Sequence, residues 1–360
     1  MAVTIERLEN SPDWDKELES FRGSIFMSST WISVISNNER KPVYLRFVEN
    51  DKPVAMLGGI EILIKNGPAK HLFFYSGITS CGKDAHLMTR CKTALYAYAQ
   101  KFGYQKISMR SYDYHSCLDA RVRQFKARER MEYVFYLDKG KERLGNCFDR
   151  DLRRRVRKAK REGAVLKTSS SPELIEILFR LINETYNLRQ SKGYGGYNHL
   201  FLPFFSWIEI DELVKKGNAS FYYVEKDNEI ISMQLVNFHG NKAYSILMGT
   251  SAKGYREAAP SFLFYELVMN LRDRGYKYLN IGGVSRGTRQ TGLKKFKDSL
   301  GAETVRSAEE MTNFIAPPLS YLNPFLELKR FLHDLKFIPG RIKLPFIFFI
   351  DLVVQKRDRY

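Results

Sequence analysis

The chain has 360 residues and carries 58 Lys plus Arg against 40 Asp plus Glu, a net charge of +18. Hydrophobic residues make up 44%, and 25 Phe with 21 Tyr supply a large core, so a disordered chain is excluded. Cys81, Cys91, Cys117 and Cys147 are dispersed without CxxC spacing, and no HExxH occurs, so neither a disulfide framework nor a transition-metal site is signalled.

The length suggests about two domains. The acidic start MAVTIERLENSPDWDKE does not read as a signal peptide, and free thiols fit a reducing cytoplasm. VTIERL is a short strand candidate. KPVYLRFVEN and KPVAMLGGIEILIKNG read as two strands joined at the polar turn 49–52, and AKHLFFYSGI as a third. From Asp84, apolar residues at spacings of three and four (Leu87, Cys91, Ala94, Leu95, Tyr98) predict an amphipathic helix that ends before Gly103. YQKISMRS and MEYVFYLD are further strands. Residues 1–140 therefore form a mixed α/β unit.

The composition turns basic near residue 140. Eight Lys or Arg lie between Arg150 and Arg161, and Leu152, Val156 and Ala159 at i, i+4, i+7 predict a helix with a narrow buried stripe and a cationic outer face. A second unit, 141–316, follows: a strand at AVLKTS, a helix opened by Ser171-Pro172, the Gly/Tyr loop SKGYGGYN and a helix over FLPFFSWIEIDELVKKG. Three strands come next, with turns at Asp227-Asn228 and Gly240-Asn241, then the helix AAPSFLFYELVMNLRDRG, the strand YKYLNIGG and the short helix GLKKFKDSLG. The two units share an element order but no residue-level repeat. The expected architecture is α/β: two domains in tandem, each a mixed, mostly antiparallel sheet flanked by helices. A tail, 317–360, should pack on the first. Its apolar stretch Leu344–Val354 is too short to span a bilayer and reads either as a buried terminal element or as a membrane-surface foot.

The charge excess points to phosphate-rich partners: nucleic acid, a nucleotide, a phospholipid-linked precursor or a membrane surface. The glycine-rich loop IGGVSRGTRQTG is neither a P-loop nor GxGxxG. Gly282 and Gly283 allow close backbone approach, and Arg286 and Arg289 are candidates for phosphate contact. Tyr194 and Tyr197, set among glycines, are candidates for a lid over an acceptor.

The stretch Phe221–Arg306, with Gly275, Asn280, Gly282, Gly283, Gly292, Phe296, Lys297 and Gly301 in place, resembles the second half of the Fem-type transferases of the GNAT superfamily. The basic helix RDLRRRVRKAKREG resembles that family's entry into its second domain. The resemblance implies two GNAT-like domains with an acceptor cleft between them, transferring an aminoacyl or acyl group onto an amine. It puts Lys297 forward as the catalytic residue, its ammonium steadying a phosphate or a developing oxyanion. Asn280 departs from the family's usual Asp, so a base at that position is lost.

SAKGYREAAPS stands where GNAT enzymes carry the Q/R-x-x-G-x-G/A pyrophosphate turn, and its spacing does not match. The expected donor is therefore aminoacyl-tRNA, with no tightly bound cofactor, and the acceptor a phosphate-bearing cell-envelope precursor met at the inner face of the membrane. The rival readings are an acyl-CoA-dependent N-acetyltransferase acting on a sugar nucleotide or polysaccharide, and a non-catalytic basic RNA- or membrane-binding module.

Overall fold

Alternating apolar residues and tight polar turns build the first half from hairpins. A computed structural model describes residues 2–9, 13–63, 70–82, 84–113, 120–193, 202–284 and 291–327. Strand β1 (Thr4–Leu8) leads to helices α1 (Trp14–Ser20) and α2 (Ser29–Ile35), then to the antiparallel strands β2 (Arg40–Glu49), β3 (Lys52–Leu63) and β4 (Lys70–Phe74), with the short β5 (Thr79–Ser80) beside β3. Asn50 and Asp51 both take positive φ, the geometry of a tight hairpin turn between β2 and β3. Helix α3 (Ala85–Lys101), capped by the Asp84 carboxylate, crosses to β6 (Tyr104–Met109), which runs parallel to β4. Strand β7 (Phe125–Tyr136) and helices α4 (Lys141–Cys147) and α5 (Arg150–Arg161) follow.

The second half repeats the order. Strand β8 (Val165–Ser169) and helices α6 (Leu174–Ser191) and α7 (Trp207–Lys215) precede the meander β9 (Ala219–Lys226), β10 (Glu229–His239) and β11 (Lys242–Thr250). Helices α8 (Ala252–Arg256) and α9 (Ala259–Asp273) cross to β12 (Tyr278–Val284), parallel to β11, and α10 (Thr291–Ser299) leads to β13 (Glu303–Thr312).

Each half thus contains a strand, a meander, a helix and a parallel strand, as the tandem GNAT reading requires. Two expectations need correction. The sheets are not separate: all thirteen strands join one hydrogen-bonded sheet, in the order β1-β2-β3-β4-β6-β13-β7-β12-β11-β10-β9-β8. The joint between β6 and β13 is only two residue pairs wide, Met109 with Glu310 and Ser108 with Met311. Nor does β7, placed by sequence in the first unit, pair with its neighbour β6. It pairs with β12 and β13, because the inward residues Tyr133 and Phe135 join the core formed by α4, α5 and α9. The final strands of the halves are therefore interlocked at the seam.

Opposite faces of the sheet carry different cores. Met56 and Ile60 of β3, with Met233 and Leu235 of β10, face a continuous core built on α1, α2, α6 and α7. On the back face, Ala55 and Leu57 meet the α3 core, while Tyr222 and Val224 meet the α5 and α9 core. Leu152, Val156 and Ala159 are buried, as the spacing on α5 requires. Just before the tail, the Ile315 amide donates to the Gln105 carbonyl (2.8 Å) and its side chain packs on the α3 core, and at the first tail residue the Pro317 carbonyl accepts from Gln105 Nε2 (3.5 Å). Residues 328–360, including Leu344–Val354, lie outside the described residues. Among the described residues no helix is long and apolar enough to cross a membrane.

Candidate active site

The parallel strands β11 and β12 pair at only three positions, from Lys242 with Tyr278 to Tyr244 with Asn280. β11 continues to Thr250 without β12 beside it, and β12 shifts register against β7 between Asn280 and Gly283. The sheet therefore splits between β11 and β12, next to β7, and buried polar side chains gather there.

Glu132 of β7 is at the centre, almost fully buried. Its Oε1 accepts from Arg130 Nη2 (2.9 Å) and Tyr244 Oη (2.9 Å). Its Oε2 accepts from the Asp113 amide (2.9 Å) and Asn280 Nδ2 (2.8 Å). Asn280 Nδ2 also reaches Asp113 Oδ1 (3.3 Å), and Asn280 Oδ1 accepts from the Gly282 amide (2.8 Å). Asp113 Oδ2 accepts from the Ile25 amide (3.1 Å), which ties the first half into the network. Both carboxylates are thus surrounded by donors, as buried charges must be. An Asp at position 280 would put a third carboxylate beside these two, whereas Asn supplies the donor they need.

Burial pushes the Tyr244 hydroxyl well above its usual range, and the neighbouring Glu132 charge adds to this. Tyr278 is raised in the same way, by burial and then by Asp113 and Glu132. Burial works against the Arg130 charge, but Glu132 outweighs it and the guanidinium is held above its ordinary value. Arg130 also lies over the Tyr112 ring, 4.0 Å from its centroid.

Lys297 enters from α10. Its Nζ donates to the carbonyls of Ile281 (2.6 Å), Gly282 (2.9 Å) and Gly283 (3.1 Å). A lysine on a short polar helix is ordinarily solvated, and this one is not. The side chain is 7% exposed, and all three ammonium protons have acceptors. Burial pushes the ammonium down to about 7. Because peptide groups are planar, three carbonyls converging on Nζ turn the amides of Gly282, Gly283 and Val284 away from it. Gly282 takes φ +73°, and a Cβ on Gly283 would meet the Met131 carbonyl at 2.7 Å. Both positions therefore require glycine, for the bulge and for its close approach to β7.

Next to the network is a buried aromatic cluster. Phe26 packs edge-on against Trp31 (4.6 Å) and Tyr244 (4.7 Å), and Tyr75 packs edge-on against Trp31 (5.3 Å). Trp31 Nε1, Tyr75 Oη and Ser76 Oγ are buried and have no hydrogen-bond partner among the described residues.

The structure brings together three of the residues singled out by sequence: Lys297, Gly282 and Gly283. Tyr194, Tyr197, Arg286 and Arg289 lie outside the described residues. Sequence reasoning missed Glu132, Asp113, Arg130, Tyr244, Trp31 and Tyr75. Only the bulk of Trp31 and Tyr75 was a signal, and bulk alone indicates core.

Between β11 and α9, several amides are bonded within the turn: Gly254 donates to Ser251 Oγ, Tyr255 to the Ser251 carbonyl, Glu257 to Lys253, Ala258 to Tyr255 and Ser261 to Ala258.

Residues 147–298 match the family model of the acetyltransferase (GNAT) domain. FemX is similar in fold, with a TM-score of 0.67 at 15% identity, over 90% of this chain and 99% of its own. A conserved protein of unknown function from Bacteroides thetaiotaomicron is also similar, with a TM-score of 0.52 at 12% identity, over 86% of this chain and 99% of its own. A search of curated protein sequences finds no match. The protein is a GNAT-fold acyltransferase. Over 90% of the chain the fold is similar to that of FemX, and the matched acetyltransferase domain is in the second half.

Proposed function

We propose that the protein transfers an aminoacyl group from aminoacyl-tRNA to an amine of a phosphate-bearing cell-envelope precursor. The observation that supports the choice of donor is the turn α8, whose Gly254, Tyr255, Glu257 and Ala258 amides are bonded within the turn that stands where acyl-CoA enzymes carry their pyrophosphate loop. The net charge of +18, with Arg150, Arg155, Arg157 and Arg161 on one exposed helix, suits a polyanionic donor.

In this reading the acceptor enters a cleft beside the buried aromatic cluster, its polar groups meeting Trp31 Nε1, Tyr75 Oη and Ser76 Oγ. Its neutral amine attacks the ester carbonyl of the donor. A C–N bond forms, the C–O bond to the tRNA ribose breaks, and the amine proton leaves with the ribose oxygen. Glu132 and Asp113 already hold their donors, so neither is a free base. The chain contributes position and charge: Lys297 fixes the peptide planes of 281–284 and places a cation behind them. Lys297 is thus a positioning residue. The tail 328–360, with an apolar stretch between cations, gives the protein a peripheral contact with the inner face of the membrane, where such a precursor is met.

A second reading is acyl-CoA-dependent N-acetyl transfer to a sugar nucleotide or polysaccharide. The match of residues 147–298 to an acetyltransferase domain favours it. Incubating the protein with an amine acceptor and either labelled aminoacyl-tRNA or labelled acetyl-CoA separates the two: the first donor should label the acceptor and the second should not.

A further inference from the structure

The back face of the sheet has a gap between its two helical layers. Along β7, Phe125 belongs to the α3 core, while Tyr133 and Phe135 belong to the core under α4 and α9. Between them Ala127 and Glu129, with their cross-strand partners Glu310 and Ala308 of β13, floor a cavity of about 480 Å³. That volume is in the range of small-molecule sites.

Its charges are arranged in two levels. On the floor Lys92 of α3 and Glu310 form an ion pair at 2.7 Å, with side chains 4% and 9% exposed. Lys92 also donates to the Ala120 carbonyl (2.7 Å). A buried pair of this kind adds little stability over a well-packed apolar pair, so its presence calls for another reason. Glu310 Oε2 has no partner among the described residues, while Oε1 accepts from Lys92. At the rim are Arg121, Arg123 and Lys126, all exposed. Lys126 lies 3.6 Å from Glu327, but Arg121 and Arg123 have no partner among the described residues. Four cations against Glu129 and Glu310 leave the lining net positive.

We infer that this cavity is a second ligand site, for a small phosphorylated molecule that also carries hydroxyl groups. Phosphate oxygens meet the two arginine forks at the rim, and a hydroxyl donates to Glu310 on the floor. The inference does not depend on the proposed transfer reaction, since the cavity borders the α3 core and the aromatic cluster belongs to the core on the other face of the sheet.

The test is calorimetric titration of the full chain with UMP, glucose 1-phosphate and inorganic phosphate. UMP or glucose 1-phosphate should bind at least ~10-fold more tightly than inorganic phosphate, the loss from one missing hydrogen-bonded contact. The double variant Arg121→Ala/Arg123→Ala, exposed and therefore safe for folding, should weaken that binding at least ~10-fold. The charge-matched control Arg180→Ala/Lys215→Ala, on α6 and α7, should not weaken it. Glu310→Gln should weaken the hydroxylated ligand and leave inorganic phosphate unchanged. Absence of binding, equal affinity for all three probes, or equal losses in the double variant and its control would each overturn the inference.

Discussion

Asn280 Nδ2 donates to Glu132 Oε2 at 2.8 Å, so an amide supplies one of the donors that this buried carboxylate needs. The contact joins the paired strands β12 and β7 beside the split in the sheet, and Asp113 completes it from the first half. Asn280→Asp should therefore do more than remove a hydrogen bond. It buries a third carboxylate beside two others, and we expect a loss of about 3 kcal/mol. The new carboxyl's pKa is raised by its neighbours, so the folded state binds its proton more tightly than the unfolded chain does. The penalty relative to the native protein should shrink as pH falls and grow as pH rises. Urea unfolding of both proteins between pH 5 and 8 measures the difference, and a penalty independent of pH would contradict this account.

Lys297→Met removes an ammonium that holds three carbonyls. We expect transfer to fall at least ~100-fold, with a stability loss of about 1–3 kcal/mol from carbonyls left unpaired. Kinetics and urea unfolding on one preparation separate the two effects. Stability equal to the native protein's would mean that the carbonyl contacts are not made.

Burial holds Lys297 at about 7, below the ordinary lysine value of 10.5, so its stabilising contribution is full above 10.5 and is lost as pH falls from there through 7. The native protein should gain stability relative to Lys297→Met as pH rises from 7 towards 10. If the ammonium is the active form, transfer should also decline above pH 7, about tenfold per unit once the acceptor amine is neutral. A pH–rate profile still climbing at pH 9 would contradict that assignment.

Tyr75→Phe removes a buried hydroxyl with no partner among the described residues. Stability should stay level or rise by about 1 kcal/mol, because a desolvated donor disappears. The acceptor KM should rise several-fold if the cleft binds the acceptor. Thermal unfolding and acceptor titration decide it: an unchanged KM would remove Tyr75 from the site.

Much of the fold could be read from periodicity, and the site could not. Leu152, Val156 and Ala159 fixed the buried stripe of α5, and the polar turn at Asn50-Asp51 fixed the β2–β3 hairpin. Helices α1 and α2, at seven residues each, are too short to repeat a pattern, although Trp14, Leu18, Trp31 and Ile35 all face the core. Strand β13 was missed because its buried positions are largely polar: Ser307, Glu310 and Thr312 point inward. The Lys297 motif led to the right strand, but only the folded chain shows its ammonium held by backbone carbonyls. Glu132, Asp113, Tyr244 and Asn280 lie far apart in sequence and no local spacing joins them. They meet because β7 exchanges into the second half.

The central claim is transfer from aminoacyl-tRNA to an amine, and single-turnover transfer of a labelled amino acid tests it most directly. With enzyme in excess over charged tRNA, label should pass to the amine acceptor with the native protein and at least ~100-fold more slowly with Lys297→Met. Label that remains on tRNA, while acetyl-CoA acetylates the same acceptor, would contradict the account.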